Sequence, residues 1–202
     1  MNTSDLYNKA IQKFDEANSK DPNTDTVNGE ERPKELVYAE RMTEWLDKMA
    51  PDASEALRLA ARCQHIERWV IPRNEYPMNR PGYIKWRNEL KRYHAQRAEE
   101  ILTEVGYDDE TINRVKDLVM KKGLSRRKSP DQIDPEVQTL EDVICLVFLE
   151  HYYADFIEEH NDEKVVDILQ KTWQKMSEQG HKAALKLDFS GRPGTLVEKA
   201  LG

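Results

Sequence analysis

Apolar residues recur at helical spacing along most of the chain. Over residues 4–18, Leu6, Ala10, Phe14 and Ala17 fall on one face, with Ser4 placed as N-cap. Residues 19–32 are polar and rich in turn formers, and read as loop. Pro33 opens the next helix at its first position; Leu36, Ala39, Met42, Leu46 and Met49 form its stripe, and Ala50-Pro51 ends it. A helix is predicted over 54–69. Residues 70–83 hold Pro72, Pro77 and Pro81, which exclude regular structure and make a stiff loop. Helices follow over 84–105, stopped by Gly106, and over 109–122. Residues 123–135, with the basic run 121–128, read as a solvated loop. The pattern over 135–160 predicts one long helix whose middle, residues 143–149, is apolar on every side and therefore buried. A helix at 163–179, a short segment at 181–187 and last turns at 195–201 complete an all-α pattern without internal repeats.

Composition agrees with this pattern. Only 8 Gly and 9 Pro in 202 residues suit helices with short connectors. The length suits one domain: an N-terminal helix and polar loop at 1–32, a core at 33–160, and C-terminal helices at 161–202. Two cysteines, Cys63 and Cys145, are too few for a disulfide framework. The longest apolar run, residues 143–149, is too short to cross a membrane. With no apolar leader, the chain reads as cytoplasmic and free of membrane. The pattern leaves oligomeric state open.

Charge adds a local feature. The net charge of −7 argues against a general nucleic-acid binder. Residues 58–97, however, carry ten Lys and Arg against three acids, a balance of +7; the rest of the chain therefore carries −14. Such asymmetry points to a local site for an anionic small molecule.

Several polar residues interrupt apolar stripes. Glu35 heads the stripe 35, 39, 42, 46 and 49. Leu57, Ala60 and Ala61 give way to Gln64 and Arg68, flanked by His65. His94 lies between Leu90 and Ala98, and Glu141, with Asp142 beside it, lies among Val137, Ile144, Cys145 and Phe148. Burying such groups is costly unless they are paired or bound to metal. Helices that each offer one or two polar groups inward build metal or catalytic sites in bundles. Imidazoles with carboxylates suit Zn, Fe, Mn or a similar divalent ion such as Mg. Each residue also has a structural reading. Glu35 sits in a first turn, where the helix dipole favours a carboxylate. A single core His is commonly a hydrogen-bonded core residue, and the Glu141-Asp142 pair is a natural partner for an Arg.

The stretch LAARCQHIER (59–68) resembles the signature helix of HD-domain phosphohydrolases. Residues 94–123 are similar to that family's later His helix and its successor, and LEDVICLVFLEHY (140–152) resembles the helix that supplies its last metal-binding Asp. Glu35 stands where a His is expected, and Gln64-His65 where the His-Asp pair is expected, so the usual ligand set is altered. A fuller resemblance, carried by PKELVYAERM (33–42), CQHIERWVIPRNEYPMNRPGYIKWRNEL (63–90) and LEDVICLVFLE (140–150), is to the domain-of-unknown-function 4202 family, which implies no activity. Together these imply an HD-domain-like orthogonal helical bundle.

The loop at 70–83 and its borders carry Arg68, Arg73, Arg80 and Arg87 interleaved with Trp69, Tyr76, Tyr83 and Trp86. Guanidinium forks suit phosphate or carboxylate, and aromatic faces suit a base or sugar ring. The opposing reading pairs these arginines with surface carboxylates. The expected function is a metal-dependent hydrolase of a phosphorylated small molecule or nucleotide. Glu35, His65, His94, Glu141 and Asp142 would hold the ion, Gln64 or Glu67 would position water, and Arg68, Arg73, Arg80, Arg87, Tyr83 and Trp86 would bind substrate. The alternatives are a metal-free module that binds an anion or nucleotide or docks on a partner, and an RNA-associated protein.

Overall fold

A computed structural model describes residues 3–124 and 132–202, so most of the basic loop expected at 123–135 lies outside the described residues. The elements are helices joined by short connectors, with one two-stranded sheet. The chain divides into two compact units, residues 1–47 with 51–122, and residues 48–50 with 123–202.

The first unit begins with α1 (Thr3–Asn18), whose Ala10 and Phe14 are wholly buried. Residues expected as loop form a hairpin instead: β1 (Thr24–Val27) pairs antiparallel with β2 (Glu30–Pro33). Asn28 and Gly29 between them both have positive φ, 53° and 84°, as a two-residue turn matched to strand twist requires. Pro33 closes β2 rather than opening the helix, and α2 spans Lys34–Met49. The hairpin is held to α2 by Arg32, whose two Nη donate to Glu40 at 2.8 and 2.7 Å, and by Asp25, which receives Arg41 at 3.0 Å.

The third helix is shorter than expected. α3 covers Glu55–Cys63, with Ser54 as N-cap, and the chain then breaks into turns through the one-turn 3₁₀ segments Arg68–Val70 and Arg73–Glu75. Conversely, α4 (Arg80–Val105) begins four residues before the expected 84. Asn79 caps it, accepting from Gly82 N–H at 2.9 Å, and Pro81 is accommodated in the first turn, where its missing N–H costs nothing. Gly106 ends α4 at φ 102°, as expected. α5 (Asp109–Val119) stops three residues short of the expected end. α1 packs on α3 and α4, and α5 on the same two. The core holds Met42, Leu46, Leu57, Leu59, Ile66, Leu90, Leu102 and Leu118, each essentially fully buried. Each such side chain contributes about 1.5–3 kcal/mol.

In the second unit, the single helix expected over 135–160 is two. α6 (Pro135–His151) breaks at Tyr152, and α7 (Tyr153–Glu159) follows. Phe148 packs edge-on against both Tyr153 and Phe156 across that break. Residues 163–179 likewise divide, into α8 (Asp162–Trp173) and the start of α9 (Glu178–Ala184), and α10 spans Arg192–Leu201. The apolar middle of α6 is buried as expected: Val143, Leu146 and Val147 have no exposed surface. No helix of the described residues is long and apolar enough to cross a membrane.

Candidate functional site

The hairpin and α1 place Glu35. Asp21, buried just after α1, accepts the N–H of Glu35 at 3.0 Å, so the first turn of α2 is fixed from outside the helix. The carboxylate of Glu35 points at His65, with Oε2 3.6 Å from Nδ1, and at Arg68, with Oε1 3.8 Å from Nε. Tyr38, one turn along α2, stacks on the His65 ring at 4.2 Å and 14°. Arg68 Nη1 lies 3.5 Å from His65 Nε2. The His65 and His94 rings are 5.8 Å apart. The first unit therefore brings together Glu35, His65, Arg68 and His94 from α2, the turns after α3, and α4.

The break after α3 makes this convergence possible. Glu67 takes a left-handed conformation (φ 50°, ψ 38°), which turns the chain so that His65 and Arg68 face the same cluster. That conformation is held from three sides. The Glu67 N–H donates to Asn18 Oδ1 at 2.9 Å, and its carboxylate accepts from Tyr93 Oη at 2.7 Å and Arg97 Nε at 2.9 Å. Glu67 thus serves as an anchor of the turn. Ile66, completely buried, presents its carbonyl to His94, whose Nδ1–H donates to it at 2.7 Å. This fixes the neutral His94 tautomer with its lone pair on Nε2.

Charge in the cluster is held away from ordinary values. Burial raises the Glu35 carboxyl to about 7, against the opposing pull of Arg68. Burial, then Arg68, His94 and Arg87, push His65 well below the usual imidazole range. Burial lowers His94 to about 3, despite the Ile66 carbonyl, with Arg68 and Arg87 adding to the effect. Both imidazoles are neutral at neutral pH, so the Glu35–His65 contact is a polar contact rather than an ion pair. Buried side-chain atoms with no hydrogen-bond partner among the described residues include Glu35 Oε2, Gln64 Oε1 and His94 Nε2 here, and Nδ2 of Asn18 at the Glu67 anchor.

The arginines divide by role. Arg73 donates to the carbonyls of Tyr76 and Pro77, both at 2.9 Å, and so clamps its own loop. Trp86 is buried, donates Nε1–H to Ile71 O at 2.9 Å, and is covered by Arg68 at 5.0 Å and Arg73 at 5.9 Å. Tyr83 lies 5.8 Å from Trp86 and is about half exposed. Arg80 is exposed at the start of α4. Arg87, half-buried, has no ion pair or hydrogen bond among the described residues, yet its charge reaches His65, Arg68 and His94.

Glu141 and Asp142 belong to the second unit. Asp142 accepts from Ser177 N–H at 2.8 Å, Ser177 Oγ at 2.5 Å and Gln138 Nε2 at 3.1 Å, which ties α6 to the start of α9. Glu141, buried, has Lys175 Nζ at 3.9 Å. No group of three or more His, Cys, Asp or Glu side chains among the described residues is disposed to hold a metal ion.

Sequence reasoning missed Tyr38, Asn18 and the Tyr93–Arg97 buttress. Tyr38 was accessible, since it follows Glu35 by three residues and so shares its face. Asn18 gave no signal, because a polar residue closing an amphipathic helix is ordinary.

A family model described as Domain of unknown function (DUF4202) matches residues 8–197. No curated protein and no solved structure matches the chain.

Proposed function

We propose, for a chain that belongs to the Domain of unknown function (DUF4202) family over nearly its whole length, that the cluster around Arg68 and Arg87 binds a small anion bearing phosphate or carboxylate. The observation that carries this reading is Arg87, a half-buried guanidinium without an acidic partner among the described residues that stands within electrostatic reach of Arg68 and two neutral histidines. Glu35 offsets at most one of the two positive charges, and its value near 7 leaves it partly protonated at neutral pH. Arg68 and Arg87 together therefore outweigh Glu35 inside a negatively charged protein. An anion relieves that imbalance, and guanidinium forks suit its oxygens. The clamp made by Arg73 supports the reading, because a loop already ordered loses little entropy on binding.

Calorimetric titration of the full chain with inorganic phosphate and ethyl phosphate tests this. Binding that weakens about tenfold or more in Arg87→Gln is expected. No heat of binding at tens of millimolar anion, or an unchanged affinity in Arg87→Gln, refutes it.

A second reading rests on His94. A lone pair on Nε2 with the opposite Nδ1–H on a carbonyl is the arrangement in which imidazoles ligate metals, and Glu35 Oε2 is likewise without a partner. Glu35 and His94 would supply two ligands to a divalent ion whose other positions water or substrate would fill, and the ion would lower the pKa of a bound water and polarise a phosphoryl oxygen. With it belongs the HD-domain-like order of α2, α3 and α4. In that reading the arginines hold the phosphate and exclude bulk water. Stoichiometric metal in the purified protein, lost in His94→Phe, together with turnover of p-nitrophenyl phosphate, would favour hydrolysis over binding alone.

A further inference from the structure

We infer that the ligand is a phosphorylated polyhydroxy compound, a sugar or polyol phosphate, whose phosphate lies at Arg68 and Arg87 and whose hydroxyls donate to Glu35, Gln64 and His94. This rests on the anion-binding reading above and gives its chemistry.

The cluster offers two kinds of group that no bare anion satisfies together. Arg68 and Arg87 are donors with positive charge. Glu35 Oε2, 3.6 Å from His65 Nδ1, accepts in its ionised form, and Gln64 Oε1 and His94 Nε2 are acceptors; each is buried and without a hydrogen-bond partner among the described residues. Their residues are 7%, 3% and 2% exposed, so bulk water does not serve them. Unsatisfied buried acceptors are costly, and native proteins keep few of them. An ionised phosphate oxygen accepts and does not donate, and the single P–OH of a monoprotonated phosphate ester meets at most one of the three. The missing element is a set of donors.

The charge around the acceptors selects the kind of donor. An ammonium group would meet Arg68 and Arg87 and be repelled. A hydroxyl donates without charge. His94 is held as an acceptor by its Nδ1–H bond to the Ile66 carbonyl, so only a donor fits at Nε2. The Gln64 carbonyl oxygen accepts in the same way. The ligand thus presents an anionic end to the arginines and several hydroxyls to the buried floor.

The aromatic residues argue against a nucleotide. Trp86 is 8% exposed, and guanidinium groups of Arg68 and Arg73 lie over its ring. Tyr38 is stacked on His65. Each of these two residues is only 8% exposed and so closed to a base, whereas Tyr83 is about half exposed.

Competition calorimetry on the full chain separates the possibilities. The probes are ethyl phosphate, glycerol 3-phosphate, ribose 5-phosphate, glucose 6-phosphate and free ribose. At least one hydroxylated phosphate is expected to bind tenfold or more tighter than ethyl phosphate, and free ribose not to bind. That advantage should fall to about threefold or less in Gln64→Leu while ethyl phosphate affinity is unchanged. His94→Phe provides a second variant, accepted if its melting transition stays cooperative. Equal affinity for all the phosphates overturns the inference and leaves the anion reading standing. Binding of none of them overturns both. An advantage that survives in Gln64→Leu and His94→Phe also overturns it, because the hydroxyls would then be read elsewhere.

Discussion

Burial holds the carboxyl of Glu35 up at about 7, with Arg68 opposing and Asp21 adding to the shift. A folded-state value above the unfolded one stabilises the protein fully below about 4.5, and that stabilisation is lost as pH rises through 7. His94 acts in the other direction. Its folded value of about 3 lies below the unfolded 6.5, so its contribution is fully present above 6.5 and is lost on acidification towards 3. Between 4.5 and 6.5 the Glu35 slope opposes that of His94, and His65, also held well below its usual range, adds a second slope in the His94 direction, so the stability contributed by this cluster is expected to rise with pH over this window. Glu35→Gln removes one slope. Its urea-unfolding free energy should match the wild type near pH 4.5 and exceed it at pH 8 by on the order of 1–3 kcal/mol. Between those limits the variant's stability should climb towards pH 6.5. A variant less stable than wild type at pH 8 would mean that the Glu35 contacts with His65 and Arg68 outweigh its desolvation.

At the scale of elements, the loop before α4 is set by a close approach. A Cβ on Gly82 would lie 2.1 Å from the backbone oxygen of Pro77, so Gly82→Ala forces the loop or the first turn of α4 to move. A loss of about 1–3 kcal/mol is expected, with faster proteolysis beside the exposed Met78. Unchanged proteolysis would show that the helix, not the loop, gives way. In the second unit, a Cβ on Gly180 would meet Asp142 Oδ1 at 2.7 Å. Asp142 is pinned by Ser177, so Gly180→Ala should cost about 1–3 kcal/mol, read as a lower melting temperature. The same elements show what the sequence made legible. Helical periodicity found the helical cores and the inward polar residues Glu35, Gln64, His65 and His94, because burial of a face repeats every turn. It misjudged the ends. The pattern ran on past Cys63, where Glu67 turns left-handed only because Asn18, Tyr93 and Arg97 hold it. It ran through Tyr152, where packing of Phe148, Tyr153 and Phe156 breaks the helix. The hairpin was legible in Asn28-Gly29, a pair suited to positive φ, but its polar strands concealed it.

For the whole molecule, the excess of basic charge over residues 58–97 is spent internally only in part. Arg58 pairs with Asp47, Arg62 makes a two-pronged contact with Asp15 at 2.7 Å, and Arg97 pairs with Glu67 and Glu100. Arg80, exposed, and Arg87, half-buried, are two of the basic residues in this stretch without an ion pair among the described residues. Salt distinguishes these two as anion sites. Raising ionic strength from about 0.01 M to about 0.1 M shortens the screening length from about 30 Å to about 10 Å. An exposed cation such as Arg80 loses most of its attraction over that range. At Arg87 the loss is smaller, because the guanidinium is partly shielded from ions. The repulsion from a net charge of −7 is screened at the same time, which offsets part of that loss. Phosphate-ester affinity is therefore expected to change by less than about threefold across this range, and a fall of about tenfold or more would move the site to the exposed start of α4. Arg80→Gln then decides the matter: it leaves affinity and salt slope unchanged if the anion sits with Arg68 and Arg87, and abolishes both if it does not.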